Sequence, residues 1–534
     1  MNTKLAKLCT AFATVAALVL AAGCGGQTPT TTGSAAESAG AGGEAKTSLT
    51  FPLFNDIGQP ADPDIYYSGN GLMILTNTYE GLVKYASGNH TTAEIVPSLA
   101  TEWSYNDDFT EFTFKLREGV KFHDGTDFTS AAVEASFERR RAVDGGPAYM
   151  VADVIGYDTP DDYTVTVKLS KPNSAFLDFM ASPYGPRIIS PTVIAANAAD
   201  NAQAYIAAQS AGTGPYKMTI AEADIRYQIE YFEDYWGETE PQYKTLTLKV
   251  FSDTASMELG LESGELDAIV GAVPSASQER FVTHETLKGY QLPTFQVGMV
   301  YMNPNRDFFN TKEMRQAFYN AVDWANIIQT VEPYKSQLAT TAYSLGAVEG
   351  DSITITHDPA PFEALVAALP AGTKVAIGYN ASSDDDAAIS NIIAAQLQAL
   401  GLQAEASAHK TAEIFGDWPV NPANAPDLMV NSGTWPDANN GYLFGHVFWD
   451  LDGGLNFLGC ADDALTAALA KALESGDPAD YVAAGKIDRD VMCTPTWAQT
   501  KDFIVAQPWL GGIEESHSMA EPYALDILTL TYAG

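Results

Sequence analysis

Basic side chains are scarce in this chain of 534 residues, where 29 lysines and arginines face 67 aspartates and glutamates for a formal charge of -38. That imbalance argues against nucleic acid or an anionic membrane surface as a partner, because both repel an acidic protein. It suits solubility outside the cell, and an outer surface of one sign says little about a pocket. Cysteine is nearly absent, at four residues. No Gly-x-Ser-x-Gly elbow and no His-Glu-x-x-His pair occurs, which removes two signatures of hydrolases. Beyond the leader, no segment approaches the roughly 18 unbroken apolar residues of a membrane-spanning helix.

What is present begins with that leader. Lys4 and Lys7 precede the apolar run Leu8–Leu20, and Ala21-Ala22-Gly23-Cys24 follows. Small residues before a cysteine suit a peptidase that cuts beside a lipidated thiol, so residues 1–23 are expected to be a lipoprotein signal peptide and Cys24 the lipidation site. The alternative is an ordinary signal peptide with an incidental cysteine. Lipid on Cys24 would anchor the protein on the outer side of the cell membrane without spanning it. Residues 24–47, rich in Gly, Thr, Ser and Ala, are expected to form a flexible tether. With Cys9 lost in the signal, Cys460 and Cys493 remain. In an exported chain such a pair is expected to form a disulfide, with two free buried thiols as the alternative.

From Ser48 onward, aromatic and aliphatic residues recur over too great a length for one core, so two or three domains are expected. Strict alternation at Phe112, Phe114 and Leu116, and at Tyr163, Val165, Val167 and Leu169, predicts half-buried strands. Met314, Ala317, Phe318, Ala321, Val322 and Ala325 share one helical face, with Thr311 as a cap. At 374–406, a strand carrying Val375, Ile377 and Tyr379 leads to Ser383, a helix N-cap, and to Asp384, Asp385 and Asp386 in the first helical turn. Ile389, Ile392, Ile393, Leu397 and Leu400 form its apolar stripe, Gly401 stops it, and Leu402–Ala406 returns as a strand. That is a βαβ crossover with a parallel sheet. Leu428–Val430 then forms a strand that opens into the loop Asn431–Tyr442, where the carboxyl ends of such strands hold ligands.

The stretch Val96–Arg141, with the strand Phe112-Thr113-Phe114, the turn Asp124-Gly125 and the helix start at Thr129, resembles the signature of the family-5 extracellular solute-binding proteins of ABC importers. Further pieces resemble the family in the same order: Asp62-Pro63, Tyr79-Glu80-Gly81-Leu82, Gly212-Thr213-Gly214-Pro215-Tyr216, Tyr235-Trp236-Gly237, Gly264-Glu265-Leu266-Asp267, Asn303, Arg315-Gln316-Ala317 and Ala321-Val322-Asp323. The resemblance implies an α/β fold: a two-lobed, periplasmic-binding-protein-like clamp of type II, with an extra subdomain in lobe I and mixed sheets flanked by helices. Lobe I would comprise 48–303 plus 507–534, with an inserted subdomain at about 83–208. Lobe II would comprise 304–506. Two strands, near Val297–Asn303 and Ile504–Pro508, would cross between them as a hinge, and a ligand would favour the closed form.

Peptide-binding members present an aspartate after a Gly-Trp element that pairs with a peptide's α-amino group. Thr434-Trp435-Pro436-Asp437 is the nearest match, although those members place the aspartate one residue later. The resemblance thus implies Asp437, Trp435, Asn303 and Asp62 as ligand-binding residues, with Trp435 as an aromatic wall. An ordinary solvated Asp437 and a core Trp435 are the competing readings. His123-Asp124 reads as a turn, and Gly212-Thr213-Gly214 lacks the ending of a phosphate loop. Arg139-Arg140-Arg141 reads as a solvated helix face, with a carboxylate anchor as the alternative. His446 lacks visible partners for a metal, although a nickel-binding relative uses a histidine from lobe II. The expected function is non-enzymatic and needs no cofactor or metal. A monomeric receptor would deliver a peptide or peptide-like solute to the transmembrane subunits of an ABC importer. A nickel complex or an oligosaccharide as ligand, and a surface hydrolase, are the alternatives.

Overall fold

The computed structural model describes residues 46–533. The expected signal peptide, the lipid site at Cys24 and nearly all of the tether lie outside the described residues. Among the described residues, no helix is long and apolar enough to cross a membrane.

Three larger sheets carry the architecture. In the first, Ser48–Phe54 runs parallel to Thr245–Phe251, which pairs antiparallel with Arg226–Tyr231, and that strand pairs antiparallel in turn with Tyr216–Glu222. The second is antiparallel throughout, in the order Ala100–Tyr105, Glu111–Leu116, Thr164–Leu169, Val154–Asp161. Its two central strands are the alternating segments of the sequence, and Phe112, Phe114, Val165 and Val167 are fully buried against the helix side. A continuous core joins these two sheets and takes in Leu510, Ile513, Leu525 and Leu530 from the end of the chain.

The third sheet has seven strands. Its spine is an antiparallel pair, Lys288–Met302 and Thr496–Ala506, of 15 and 11 residues. The short strand Ala268–Val270 pairs at one end of the spine, and Leu428–Thr434, Lys374–Asn380 and Gln403–His409 extend the sheet at the other. Pairing along the spine is interrupted between Pro293 and Val297 and again between Gly298 and Met299. Pro293 has no N–H to give, and Gly298 is required where it stands, because a Cβ there would come within 2.8 Å of the Trp497 indole. Separate apolar clusters cover the two faces of this sheet. In one of them Trp324 stacks on Trp497 with centroids 5.1 Å apart.

The βαβ unit forms as its sequence predicts. Ser383 Oγ accepts the Asp386 N–H, three aspartates fill the first turn, and Gly401 takes φ +85° beyond the helix end. Val375 pairs in parallel with Ala404. Leu400, expected in the buried stripe, is instead 37% exposed, because the helix ends at Ala399 and Leu400 is its C-cap. The strand Leu428–Thr434 is longer than the three residues expected. The helix expected from Met314 to Ala325 breaks into Lys312–Ala321 and Trp324–Val331, because Val322 is extended and the Asp323 carboxylate caps a new helix on the Asn326 N–H. Cys460 and Cys493 are joined by a disulfide, and the backbone carbonyl of Cys493 accepts the N–H of Met302 at the end of the spine.

Candidate ligand site

Two arginines on the helix Ser130–Val143 organise the approach to the site. Arg139 grips Asp62 through both terminal guanidinium nitrogens, at 2.9 and 2.5 Å, and also reaches Asp64, while Arg140 donates to Asp64 at 2.7 Å. All four side chains are buried. The basic run is therefore not a solvated face at Arg139 and Arg140. Their charges are matched by Asp62 and Asp64, and only Arg141 turns outward to Glu138. Asp62 lies at the root of a loop rather than in an open cleft. Bonds to its carbonyl from Ile65 and Tyr66 fold that loop back, which presents Tyr67.

Tyr67 meets Asp437. The Asp437 carboxylate accepts hydrogen bonds from the hydroxyls of both Tyr67 and Tyr149 on the same oxygen, and its backbone carbonyl accepts Ser182 Oγ. Asp437 is only 7% exposed. Burial pushes its carboxyl above the ordinary range, and the two tyrosines oppose that shift. Burial, reinforced by the Asp437 charge, holds both tyrosine hydroxyls well above theirs. Nearby, Asn440 Nδ2 donates to Asp178 at 2.9 Å, and Tyr85 donates to the same carboxylate. Burial lifts Asp178 to about 6.

Trp435 stands between this cluster and a cavity. Its indole N–H donates to the Tyr184 hydroxyl at 3.1 Å, and its ring meets Tyr523 edge-on at 5.7 Å. Tyr523 lines a chamber of ≈ 490 Å³ and a smaller one of ≈ 200 Å³, which share Phe54, Gly271 and Ala272. The larger volume lies within the ~300–1,000 Å³ typical of small-molecule sites. Tyr523 adopts φ +59°. For a bulky side chain this costs about 1–3 kcal/mol, and such strain gathers at binding sites. The ring is seated by two glycines. A Cβ on Gly69 would come within 2.7 Å of it and one on Gly271, itself at φ +76°, within 1.9 Å.

The chamber also receives Lys335, Lys501, Gln296, Asp385 and Asp502. Lys335 pairs with Glu332 and Asp385, both at 3.1 Å. Gln296 donates to Asp502, whose other oxygen meets the buried His517. Asn303 sits away from the chamber, fully buried, where its amide N–H groups hold the carbonyls of Pro422 and Pro426. It fixes the turn ahead of Leu428–Thr434. Of the four predicted ligand residues, only Trp435 and Asp437 come together, and Trp435 alone approaches the chamber. Tyr67, Tyr149, Tyr184, Tyr523, Lys335 and Lys501 escaped sequence reasoning, since isolated tyrosines and lysines carry no spacing signal.

His123 is enclosed between Ser210 and the Gly214 carbonyl, and burial lowers it to about 4, which leaves it neutral. His446, Asp450 and Asp452 bring ligand atoms within 4.8 Å of one another, and among the described residues this grouping is the one able to hold a metal ion. His446 stacks on Tyr442 and bonds Asp450 at 3.3 Å, which raises its pKa.

Mixed sheets joined by a two-stranded spine, with a lined chamber beside it, define a periplasmic-binding-protein fold. The chain belongs to the bacterial extracellular solute-binding proteins, family 5, whose middle-region model matches residues 94–451. It is similar to the probable D,D-dipeptide-binding periplasmic protein DdpA of Escherichia coli, with 29% identity over 274 residues, 51% of this chain and 52% of that protein. The chain thus spans about half the length of such curated relatives. The glutathione-binding protein GsiB of Shigella dysenteriae is 22% identical over 429 residues, 74% of this chain and 78% of that one. Among solved structures, NikA from Brucella suis in complex with Fe(III)-EDTA has a TM-score of 0.78 at 23% identity, covering 91% of this chain and 99% of its own. DppA from Helicobacter pylori in complex with the peptide STSA has a TM-score of 0.76 at 19% identity, covering 91% and 98%.

Proposed function

We propose that this protein is a non-catalytic receptor that captures a peptide or peptide-like solute outside the cell and passes it to the transmembrane subunits of an ABC importer, tethered by lipid on Cys24. The carrying observation is the buried Asp437 carboxylate, whose acceptor oxygen is taken by two tyrosine hydroxyls, with Trp435 two residues away meeting Tyr523 on the wall of a chamber of ≈ 490 Å³. An α-ammonium supplies N–H donors that themselves carry a full charge, which adds to the bonds with the carboxylate an ion-pair attraction that neutral hydroxyls lack. It would therefore replace the tyrosines on Asp437. With lobe I at 48–303 plus 507–534 and lobe II at 304–506, the bonds from Tyr67, Tyr149 and Ser182 to Asp437 cross between lobes, and the crossings near Val297–Asn303 and Ile504–Pro508 serve as the hinge. The peptide ligands named for DdpA and for Helicobacter DppA support this reading.

A thermal-shift screen of peptides, amino acids, oligosaccharides and Ni(II) complexes tests it. A ligand at 100 times its Kd adds roughly 2.7 kcal/mol of stability. Stabilisation by free peptides, with the peptide recovered intact by mass spectrometry, supports the receptor. Cleaved peptide would establish a hydrolase, and response only to a nickel complex or an oligosaccharide would replace the ligand class. Release of Cys24→Ala protein from the membrane fraction tests the anchor.

A further inference from the structure

The strand Thr496–Ala506 is buried at every position but one. The exception is Lys501, which opens into the ≈ 490 Å³ chamber. Its backbone is fixed on both sides, by the register with Pro293 and by a 2.8 Å bond from its N–H to the Lys335 carbonyl. The side chain, in contrast, makes neither an ion pair nor a hydrogen bond among the described residues.

Lys288, Lys374, Lys410 and Lys486 also lack such partners, but they are exposed to solvent, whereas Lys501 is half-buried on a chamber wall. The other base of the chamber, Lys335, is neutralised by Glu332 and Asp385. The inner acids are committed as well. Asp385 also accepts Ser275 Oγ, Asp502 serves Gln296 and His517, and Asp253 caps the helix Thr254–Glu262. The free charges that remain on the chamber wall are the Lys501 ammonium, on a rigid central strand, and the Asp384 carboxylate, exposed at the start of the helix Asp384–Ala399. A partly desolvated charge is costly until it meets its opposite.

We propose that Lys501 anchors the carboxylate of a zwitterionic ligand, through a charge-assisted N–H···O bond within the chamber. This rests on the peptide reading of the same site and adds which end of the ligand is read here. Lys501→Met keeps an unbranched apolar stem of similar length and removes the charge. Arginine at this position keeps the charge.

The test uses the full mature chain and two probes, a tripeptide library as free acids and the same library as C-terminal amides. Affinities are read by competition and by thermal shift. The wild-type protein is expected to prefer acids at least tenfold. Lys501→Met is expected to lose at least tenfold in affinity for acids, to bind amides unchanged and to melt as wild type without ligand, while Lys501→Arg retains the preference. Acids and amides bound equally by the wild type, or weakened equally in Lys501→Met, would overturn the anchor while leaving the peptide reading in place. Binding of neither library to the wild type would overturn both. Should Lys501→Met melt early, the acid-to-amide ratio of Lys501→Gln decides by the same criteria.

Discussion

The hydroxyl of Tyr149 donates to the carboxylate of Asp437, across 288 residues of sequence. Tyr67 adds a second donor to the same oxygen. The two tyrosines occupy the acceptor that an ammonium would need, so a ligand ammonium would compete with them for one carboxylate.

Asp437→Asn keeps the size of the side chain and removes its charge. Peptides with a free α-amino group are expected to bind at least tenfold more weakly to this variant, while N-acetylated peptides bind as they do to the wild type. Titration calorimetry with matched pairs reads this, and equal losses for both kinds would reject the ammonium role.

Tyr149→Phe withdraws one of the two donors from a buried carboxylate. Without ligand the protein is expected to lose ~1–3 kcal/mol of stability, the scale of a hydrogen bond to a charged group. With a saturating free-amine peptide the deficit should shrink, because the ammonium takes over the vacant acceptor. Urea unfolding with and without peptide measures both, and an unchanged deficit would show that the ligand does not replace the tyrosine.

Asp488 is buried beside Arg489 and Asp351, one of its oxygens lacks a partner, and burial raises it from 3.8 to about 7. A carboxyl raised in the folded state binds more protons there than in the unfolded chain between those two values. Stability from this group is therefore full below about 4 and declines as pH rises to about 7. Asp488→Asn removes the decline. Its melting temperature is expected to match wild type near pH 4 and to exceed it increasingly up to pH 7, with no further gain at pH 8. A constant offset across that range would refute the shift.

Gly271 holds φ +76° against the Tyr523 ring. Gly271→Ala puts a methyl where the ring lies and asks alanine for a conformation it resists, so a loss of more than ~1 kcal/mol is expected. Tyr523→Ala in the same background removes the clash and should recover part of that loss. Failure to recover would place the strain in the backbone alone.

The βαβ unit was legible because its signals are local. A capping serine, three N-terminal aspartates and a glycine stop act within one or two turns, and the parallel register of Val375 with Ala404 follows from the crossover. The alternating strands were legible for the same reason. The split at Val322 was harder to foresee, since an apolar face continues through it and only the Asp323 cap overrides the period. The arginine run misled, because its counter-charges Asp62 and Asp64 lie far upstream. Asn303 and Asp62 were expected to bind ligand, and their bonds go instead to backbone and to arginine.

The sequence by itself determined the family, the α/β character, most local elements and the presence of Trp435 and Asp437 on a strand-end loop. It could do so because helical period, strand alternation, caps and turns are written in neighbouring residues. Only the tertiary structure decided that Asp437 is held by Tyr67 and Tyr149, that Tyr523 is wedged between Gly69 and Gly271, and that Lys501 stands in a chamber without an ion-pair partner among the described residues. Those relations join residues hundreds of positions apart, and burial and pairing of charge exist only once the chain has closed on itself.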